Sequence, residues 1–252
     1  MNDLHPQIAT AEESAELKAM WNEIFQEEPD FLETYFTRRY RPEDVVVIIQ
    51  DGAIASSLHA LPCTVEGQPC RYIVGAATWP RWRRHGMMGA LLSFARAHYG
   101  VPMALYPEET ARDLYGKCGF HSQSIWVYDL PGEEGAIPPS PKVTAETLDA
   151  WYHATGPALE RDALAWEFFL DEFHQNGVAV DGAYALIRSQ SAVEVGYRDR
   201  EALERLIPAL RRRGIRTMVL RQHLPLPYPV RSMLGGMYDD KKLENVFVGE
   251  QY

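Results

Sequence analysis

Cysteine is scarce in this sequence, and neither a long apolar run nor an excess of positive charge is present. The 252 residues include three cysteines, Cys63, Cys70 and Cys118, an odd number without the spacing of paired metal ligands. We interpret them as reduced thiols of a cytoplasmic protein. No apolar stretch reaches the roughly 18 residues of a membrane span. The first residues lack a basic region followed by an apolar one, so we predict neither a secretory signal nor a membrane segment.

Acidic residues outnumber basic ones by 35 to 25, which gives a formal net charge of -10 at pH 7. This balance argues against nucleic acid as a partner, because nucleic acid selects basic surfaces. It is compatible with a cationic substrate, which acidic clusters such as QEEPD and PEE mildly favour. The sequence also lacks the motifs G-x-x-x-x-G-K-[ST] and G-x-G-x-x-G, and this excludes the two common nucleotide-binding loops.

What the chain does contain is an alternation of helical and strand patterns, with enough apolar residues, 46%, for a substantial core. Residues 1–130 predict two helices, three strands, a helix, a short strand, a short helix and a last strand. Asp51-Gly52 and Gly67-Gln68 mark tight turns between strands. Residues 131–142 are rich in Pro and Gly and predict a linker.

Residues 143–252 form a second part with helices, a strand hairpin or meander, an amphipathic helix and a further strand. Pro208 stands inside that amphipathic helix and predicts a kink or an early break. The second part ends with strands, a helix and a strand, an order of elements that also occurs in the first part. We therefore expect an α/β protein with two parts.

Three arginines stand within four positions in RWRRHGMMGALLSFARAHYG, Arg81–Gly100, which follows a predicted strand and opens a predicted helix. A helix N-terminus presents unpaired N–H groups and a partial positive charge, so it attracts anions, phosphate in particular. Gly86 lets the backbone approach a ligand closely, and Arg81, Arg83 and Arg84 add charge and donors. The pattern predicts a diphosphate site. The alternative is a basic helix start that balances neighbouring carboxylates.

The segment ATWPRWRRHGMMGALL resembles the acetyl-CoA-binding segment of the GNAT N-acetyltransferases, and LYPEETARDLYGKCGF resembles a second landmark of that family. The subgroup it resembles is that of the Eis-type enzymes, which carry a second GNAT-like unit. The resemblance implies an α/β (α+β) GNAT fold with a mixed, mostly antiparallel sheet. It implies a GNAT domain in 1–130 and a smaller, degenerate one in 143–252 that lacks the CoA-binding turn. Met88 departs from the family pattern, which has Gly or Ala at that place.

By this resemblance, one stretch of strand pairs with the pantetheine arm of acetyl-CoA, and an N–H group there stabilises the oxyanion of the reaction. The following turn binds the pyrophosphate, and one residue farther along lies near the pantetheine. The implied cofactor-binding residues are Ala76, Ala77, Thr78, Arg83, Arg84, His85, Gly86, Met87, Met88, Gly89 and Thr110. No metal is expected.

Tyr115 matches the family's tyrosine, which is the general acid for the departing CoA thiolate. The alternative is that its ring only packs against Leu114 and Phe120. The general base stays open. Its candidates are His59, His121, Glu108, Glu109 and, as in the Eis-type enzymes, the terminal carboxylate of Tyr252.

Two further features near the turn can be explained by packing alone. Cys118 is expected to be a packed thiol, since no His or Asn partner for a nucleophile is visible. Trp79 and Trp82 flank the turn, where they either line a pocket or pack in the core.

The predicted function is transfer of an acetyl or short acyl group from CoA to an amine by direct attack. The acceptor is a small molecule or a lysine side chain, and a homo-oligomer is possible. The alternatives are a non-catalytic acyl-CoA-binding or sensing module, and a phosphate-binding domain for another nucleotide.

Overall fold

The computed structural model describes residues 4–133 and 141–249. The chain forms two compact units, Met1–His121 with Met237–Leu243, and Ser122–Gly236 with Glu244–Tyr252. The sequence pattern placed the boundary at residue 130 instead. The last strand predicted for the first unit falls, apart from its first residue, in the second unit, because it pairs there with a strand about ninety positions away. Of the predicted linker, residues 134–140 lie outside the described residues.

The first unit is a sheet with helices on both faces. Its strands are β1 (Pro6–Ile8), β2 (Val45–Gln50), β3 (Ala53–Val65), β4 (Gln68–Thr78) and β5 (Met103–Leu105). Its helices are α1 (Ser14–Phe25), α2 (Pro29–Thr34), which continues as a π-helical turn over Tyr35–Arg39, α3 (Met87–Tyr99) and α4 (Arg112–Lys117). Single 3-10 turns cover Ala11–Glu13, Pro42–Asp44, Pro80–Trp82, Glu109–Ala111 and Lys241–Leu243.

The strands of the first unit lie in the order β1-β2-β3-β4-β5, and Met237 and Tyr238 extend the sheet beyond β5. Neighbouring strands are antiparallel except β4 and β5. The predicted turn Asp51-Gly52 is confirmed, with both residues at positive φ. The second turn lies one residue earlier than predicted, at Glu66-Gly67, and joins Val65 to Gln68.

Strand β2 shows why the first unit needs helices on both faces. Val46 and Ile48 join the core under α3, whereas Val45 and Val47 join the core under α1 and α2. Successive side chains of a strand point to opposite faces, so this continuous apolar run is buried on both sides. The two cores fix α1 and α2 on one face of β3 and β4, and α3 on the other.

The second unit has its own sheet and helices. Its strands are β6 (His121–Asp129), β7 (Gly177–Val180), β8 (Ala183–Arg188), β9 (Ser191–Tyr197), β10 (Thr217–Leu220) and β11 (Val230–Tyr238), in the order β11-β6-β10-β9-β8-β7. Its helices are α5 (Ala145–Ala154), α6 (Ala163–Asn176) and α7 (Arg200–Arg212). Strands β9 and β10 are parallel.

Each helix of the second unit begins at a side-chain cap. Thr144, Asp162 and Asp199 accept a hydrogen bond from the backbone N–H three residues ahead. The break predicted at Pro208 is wrong, because α7 continues to Arg212. Its buried face, which includes Leu206 and Ile207, compensates for the backbone bond that proline cannot make. In residues 4–133 and 141–249, no helix has both the length and the apolar character that crossing a membrane requires.

Candidate active site

Strand β4 bulges at Gly75 and Ala76, which together lie opposite the single residue Leu58 of β3. Gly75 has a φ of 55°, the left-handed geometry of bulges that begin with glycine. A Cβ atom at this position would lie 1.9 Å from a ring carbon of Trp21. Both the backbone angle and the indole therefore require glycine here.

Beyond the bulge, β4 separates from β5. The parallel pairing ends at Ile73 and Leu105, while β4 continues to Thr78. Over Val74–Thr78, the edge of β4 that faced β5 has no strand partner in the described part of the chain. This leaves unpaired backbone groups for another extended molecule. The other edge stays paired to β3, and the hydroxyl of Ser56 donates to the Ala77 carbonyl at 2.9 Å.

The turn after β4 leads to an open helix N-terminus. Arg84 and Gly86 have φ of 67° and 80°, and Gly86 stands at the N-cap of α3 without a side-chain cap. The first backbone bond of the helix runs from Ala90 N to Gly86 O at 3.1 Å. The N–H groups of Met87, Met88 and Gly89 precede that bond, so they are the unpaired donors of a helix N-terminus.

The basic side chains of the turn divide into two groups. Arg83 donates from Nε to the Thr78 carbonyl at 3.1 Å, which ties the turn to the end of β4. His85 holds Nδ1 at 3.1 and 2.9 Å from the carbonyls of Trp82 and Arg83, so Nδ1 carries a proton. Arg81 lies 5.8 Å from the Trp82 ring. Arg84 is exposed and makes no hydrogen bond or ion pair within residues 4–133 and 141–249.

The departure from the family pattern at Met88 leaves the turn open. Met87 and Met88 are both buried in the core between α3 and the sheet. Both side chains therefore lie in the core rather than in the turn. At Gly89 a Cβ atom would lie 3.8 Å from Cys118 Sγ, an ordinary contact distance.

Tyr115 belongs to the same core cluster as Met87 and Met88, and Ala76 packs against that cluster. Its ring lies edge-on to Phe120 at 5.8 Å, and the residue is 7% exposed. Burial, with a smaller effect of the Cys118 thiol, raises the pKa of Tyr115 to about 12. The packing interpretation holds for Phe120 but not for Leu114, which is exposed. One cluster thus holds the bulge, the start of α3 and Tyr115 together.

The candidates for the base differ in exposure. His59 is fully buried in β3, and burial lowers its pKa to about 3. Glu108, Glu109 and His121 are exposed. Glu109 pairs with Arg112 at 2.6 Å, and the ring of His121 lies 5.8 Å from that of Tyr238. Tyr252 lies outside the described residues.

The remaining residues predicted from the sequence lie near the core clusters, where most of them pack. Thr110 is exposed in the 3-10 turn before α4, and the next residue, Ala111, packs on the cluster that holds Tyr115. Trp82 packs on that cluster, and Trp79 packs on the core of the other face. Burial raises the pKa of the Cys118 thiol, which disfavours a nucleophilic thiolate. Among the described residues, no group of three or more His, Cys, Asp or Glu is placed to hold a metal ion.

An aromatic cluster that the sequence did not predict surrounds His59. The ring centroids of Trp21, Tyr35, Tyr40 and Phe36 lie 4.8, 5.8, 5.9 and 6.1 Å from that of His59. The Tyr35 hydroxyl is 2.9 Å from His59 Nδ1. Within the described residues, Trp21 Nε1 and His59 Nε2 are buried without a hydrogen-bond partner, a costly state for polar atoms among packed rings. Trp21 comes from α1, and the other three come from the π-helical turn after α2 and the residue that ends it. No local sequence motif indicates this cluster, because α1 and the turn are brought to His59 by folding.

The acetyltransferase (GNAT) domain family matches residues 5–122 of this chain. A probable N-acyltransferase from Enterococcus faecalis has a similar structure, with TM-score 0.66 and 16% identity over 94% of this chain and 72% of that one. Eis1 from Mycobacterium abscessus gives TM-score 0.61 and 15% identity over 93% and 73%. A putative acetyltransferase from Pyrococcus horikoshii gives TM-score 0.60 and 10% identity over 100% and 94%.

No curated protein sequence matches the chain significantly. The solved structures are too distant in sequence to show more than the fold, and they confirm the α/β class predicted from the sequence. The family match covers the bulged strand, the basic turn and Tyr115, and it confirms the resemblance that the two landmarks indicated. Residues 5–122 thus match the acetyltransferase (GNAT) domain family, and this match carries the expectation of acyl transfer.

Proposed function

We propose that the protein transfers an acetyl group from acetyl-CoA to a primary amine, by direct attack of the amine on the thioester. The observation that supports this most is the free edge of β4 after the Gly75–Ala76 bulge, which leads into the open N-terminus of α3. One surface of this kind offers strand-like pairing to an amide-containing arm and N–H donors to a diphosphate. Acetyl-CoA carries both groups.

In this proposal, Ala76, Ala77 and Thr78 pair with the pantetheine arm. The turn from Arg83 to Gly89 binds the pyrophosphate. Arg84 is the arginine best suited to contact phosphate directly, since it is exposed and unengaged within the described residues. Arg83 and His85 shape the turn through their bonds to backbone carbonyls.

Attack by the amine places negative charge on the thioester oxygen. An N–H group released from pairing at the bulge is the donor we propose for it, because the bulge interrupts the ladder to β3 at that point. The rigid packing of Gly75 under Trp21 holds this segment in place before substrate arrives. Such preorganisation is the main source of electrostatic stabilisation in enzymes.

Tyr115 is the group that we propose acts on the departing thiolate. Its pKa of about 12 keeps the phenol protonated at neutral pH. Transfer of its proton to a thiolate with a pKa of about 8.5 is uphill. The hydrogen bond from the phenol therefore stabilises the thiolate more than a completed proton transfer does. Thr110 near the pantetheine and the choice of base stay predictions.

The aromatic cluster supports a cationic acceptor. Trp21 lies directly on the bulge, and Tyr35, Tyr40 and Phe36 surround the same histidine. Aromatic faces attract ammonium groups, and the net charge of -10 favours cations at long range. A polyamine, an aminoglycoside-like amine or a lysine side chain has this chemistry. The cytoplasmic location and a homo-oligomeric state stay predictions from the sequence.

Thermal unfolding with acetyl-CoA, CoA, ATP and NAD in turn tests the donor site. A ligand at a hundredfold excess over its Kd adds about 2.7 kcal/mol of stability. We expect a clear rise with acetyl-CoA and none with ATP or NAD. The variant Arg84→Gln is expected to reduce the rise, whereas the exposed Arg205→Gln is the matched control and leaves it unchanged. No rise at millimolar acetyl-CoA contradicts the donor site and leaves the turn as a basic helix start.

Release of CoA thiol in the presence of amines then tests the transfer itself. We expect release that depends on the amine and is faster with polyamines than with neutral amines. Equal rates with neutral and cationic amines contradict the cationic acceptor. Tight binding of acetyl-CoA without release, for any amine, favours the sensing module over the enzyme.

A further inference from the structure

The second unit contains a buried charged cluster that the proposed acetyl transfer does not use. Arg161 and Glu194 form a bidentate pair, with Nη1 to Oε1 at 2.9 Å and Nη2 to Oε2 at 2.6 Å, and their side chains are 3% and 8% exposed. The Tyr184 hydroxyl donates to Glu194 at 2.7 Å. Burial opposes ionisation of Glu194, but Arg161 holds the pKa of Glu194 below its ordinary value. This carboxylate is fully paired.

A second guanidinium of the cluster, that of Arg221, is only half satisfied. Its Nη1 donates to the carbonyls of Tyr152 and Gly156 at 2.9 and 3.4 Å. Its Nε and Nη2 are buried and have no hydrogen-bond partner within residues 4–133 and 141–249. The group lies 4.1 Å from the Tyr152 ring and 4.3 Å from the Phe247 ring. A buried N–H without a partner costs about 1 to 3 kcal/mol, more in a charged group.

The two unpartnered atoms of Arg221 have a specific geometry. Nε–H and the neighbouring Nη2–H point in parallel from one edge of the planar guanidinium, which is the fork that binds two oxygens of a carboxylate or phosphate. Arg161 shows a guanidinium of the same cluster paired in this way, because two of its nitrogens donate to the two oxygens of Glu194. Arg221 has the same capacity, and although its charge acts on Glu194, its Nε–Nη2 edge binds no carboxylate of the described residues.

The charge of the cluster points the same way. Arg161 and Arg221 contribute two positive charges, and Glu194 contributes one negative charge, since Glu194 stays ionised. Arg221 is partly exposed, but its Nε and Nη2 atoms are buried, and buried charged donors are stabilised by a paired anion. One monovalent anion with two oxygens on one carbon neutralises the remaining charge and fills both donors. A phosphate dianion would leave the cluster with a net negative charge.

We propose that the second unit has a binding site for a small monocarboxylate at the Nε–Nη2 edge of Arg221, whose guanidinium lies over the rings of Tyr152 and Phe247. Arg221 follows the end of β10 and begins the irregular, proline-rich stretch from 221 to 229. A stretch without helix or strand pairing moves more easily than a strand, and this gives the carboxylate a way in. The site lies wholly in the second unit and does not depend on acetyl-CoA.

The experiment follows the side-chain Nε–H signal of Arg221 by NMR in the full chain during a titration with sodium acetate. Sodium chloride keeps the ionic strength constant, and the signal is assigned by its loss in Arg221→Lys. We expect a saturable shift with acetate, half-complete at millimolar concentration, and no shift with chloride alone. Sodium phosphate at the same ionic strength is the third arm. A shift with phosphate but not acetate, or a shift that tracks salt alone, overturns the proposal.

Calorimetric titration of variants with acetate separates this site from any acetate that enters the first unit. Arg221→Lys keeps the charge but lacks the two-donor edge, so we expect acetate affinity to fall by about tenfold or more. Arg205→Gln, an exposed arginine of the same unit, is the matched control and keeps the affinity. Unchanged affinity in folded Arg221→Lys overturns the role of the guanidinium edge. Where Arg221→Lys fails to fold, the loss of the signal in Arg221→Gln supplies the assignment, and the NMR titration of the wild-type site then decides the matter.

Discussion

The two units repeat one arrangement around a strand, a helix and a parallel strand, and they differ at the start of the helix. In the first unit β4 leads into α3, and α3 returns in β5, parallel to β4. In the second unit β9 leads into α7, and α7 returns in β10, parallel to β9. An antiparallel hairpin precedes the crossover in both cases. The echo seen in the sequence is thus present in the topology.

The connection into the helix separates the two copies. Eight residues, Trp79 to Gly86, join β4 to α3, and they end on a glycine that leaves the helix N–H groups open. Two residues, Arg198 and Asp199, join β9 to α7, and Asp199 accepts from the Ala202 N–H at 2.8 Å. A carboxylate therefore occupies the place where the first unit has room for a phosphate. The topology is shared, and the cap decides whether an anion site exists.

The largest effect is expected from Gly75→Val, which tests the bulge that sets β4 apart. The left-handed backbone disfavours any β-branched residue, and the new side chain would overlap Trp21. We expect a loss of about 2–5 kcal/mol in the free energy of unfolding, measured by urea denaturation. Gly116→Ala is the matched control, since nothing lies within 4 Å of its Cβ position. Equal stability of the two variants would show that the bulge is not held by this contact.

The next effect is on catalysis and concerns Tyr115 of the first unit. Tyr115→Phe keeps the ring that packs on Phe120 and removes only the hydroxyl. Removing one hydrogen-bond donor to a developing anion costs about a hundredfold or more in rate, so kcat should fall by about that factor while the Kd of acetyl-CoA is unchanged. Steady-state kinetics and calorimetry measure the two quantities. Normal turnover in this variant would contradict the role proposed for the Tyr115 hydroxyl.

Much of this contrast was visible in the sequence, because its signals are local. The strand before the turn, the arginines, Gly86 and the apolar face of α3 stand within about twenty-five consecutive positions. The hairpin at Asp51-Gly52 is local for the same reason. The boundary between the units was missed, since β6 belongs with β10 only through pairing across the chain.

The aromatic cluster and the arginine cluster could not be predicted, because their members are distant in sequence. His59 meets Trp21 and Tyr35 through the packing of α1 and α2 on β3. Arg161, Glu194 and Arg221 likewise meet only in the folded second unit. Apolar periodicity assigns such residues to a core but does not say which polar atoms face each other there.

A third prediction uses the two buried polar centres, which respond to acid in different ways. His59 has a pKa of about 3 in the folded protein, against about 6.5 in an unfolded chain. The unfolded chain therefore takes up a proton below about pH 6.5 that the folded protein refuses, so stability is lost as the pH falls from there towards 3. Between pH 6.5 and pH 5 this costs about 2 kcal/mol. Glu194 has a lowered pKa and keeps its contribution over that range.

Urea denaturation of the wild type and of His59→Gln at pH 6.5 and pH 5 measures the contribution of His59 to the pH dependence of the free energy of unfolding. Glutamine retains a hydrogen-bonding partner for the Tyr35 hydroxyl and does not titrate. We expect the variant to lose about 2 kcal/mol less than the wild type between the two pH values. Identical losses would mean that His59 is protonated in the folded protein.

The smallest effect is expected from moving the cap of α7 onto α3, and it bears most directly on the comparison. Gly86→Asp places a carboxylate at the start of α3, as Asp199 does for α7. Gly86→Asn is the matched control, because asparagine has the same size and tolerates the left-handed backbone but carries no charge. We expect acetyl-CoA to bind Gly86→Asp about tenfold more weakly than Gly86→Asn, since the carboxylate occupies the N–H donors and repels phosphate. High salt should narrow the difference by screening the repulsion. Equal binding by the two variants would place the pyrophosphate away from the N-terminus of α3, and the difference between the units would then lie in the arginines alone.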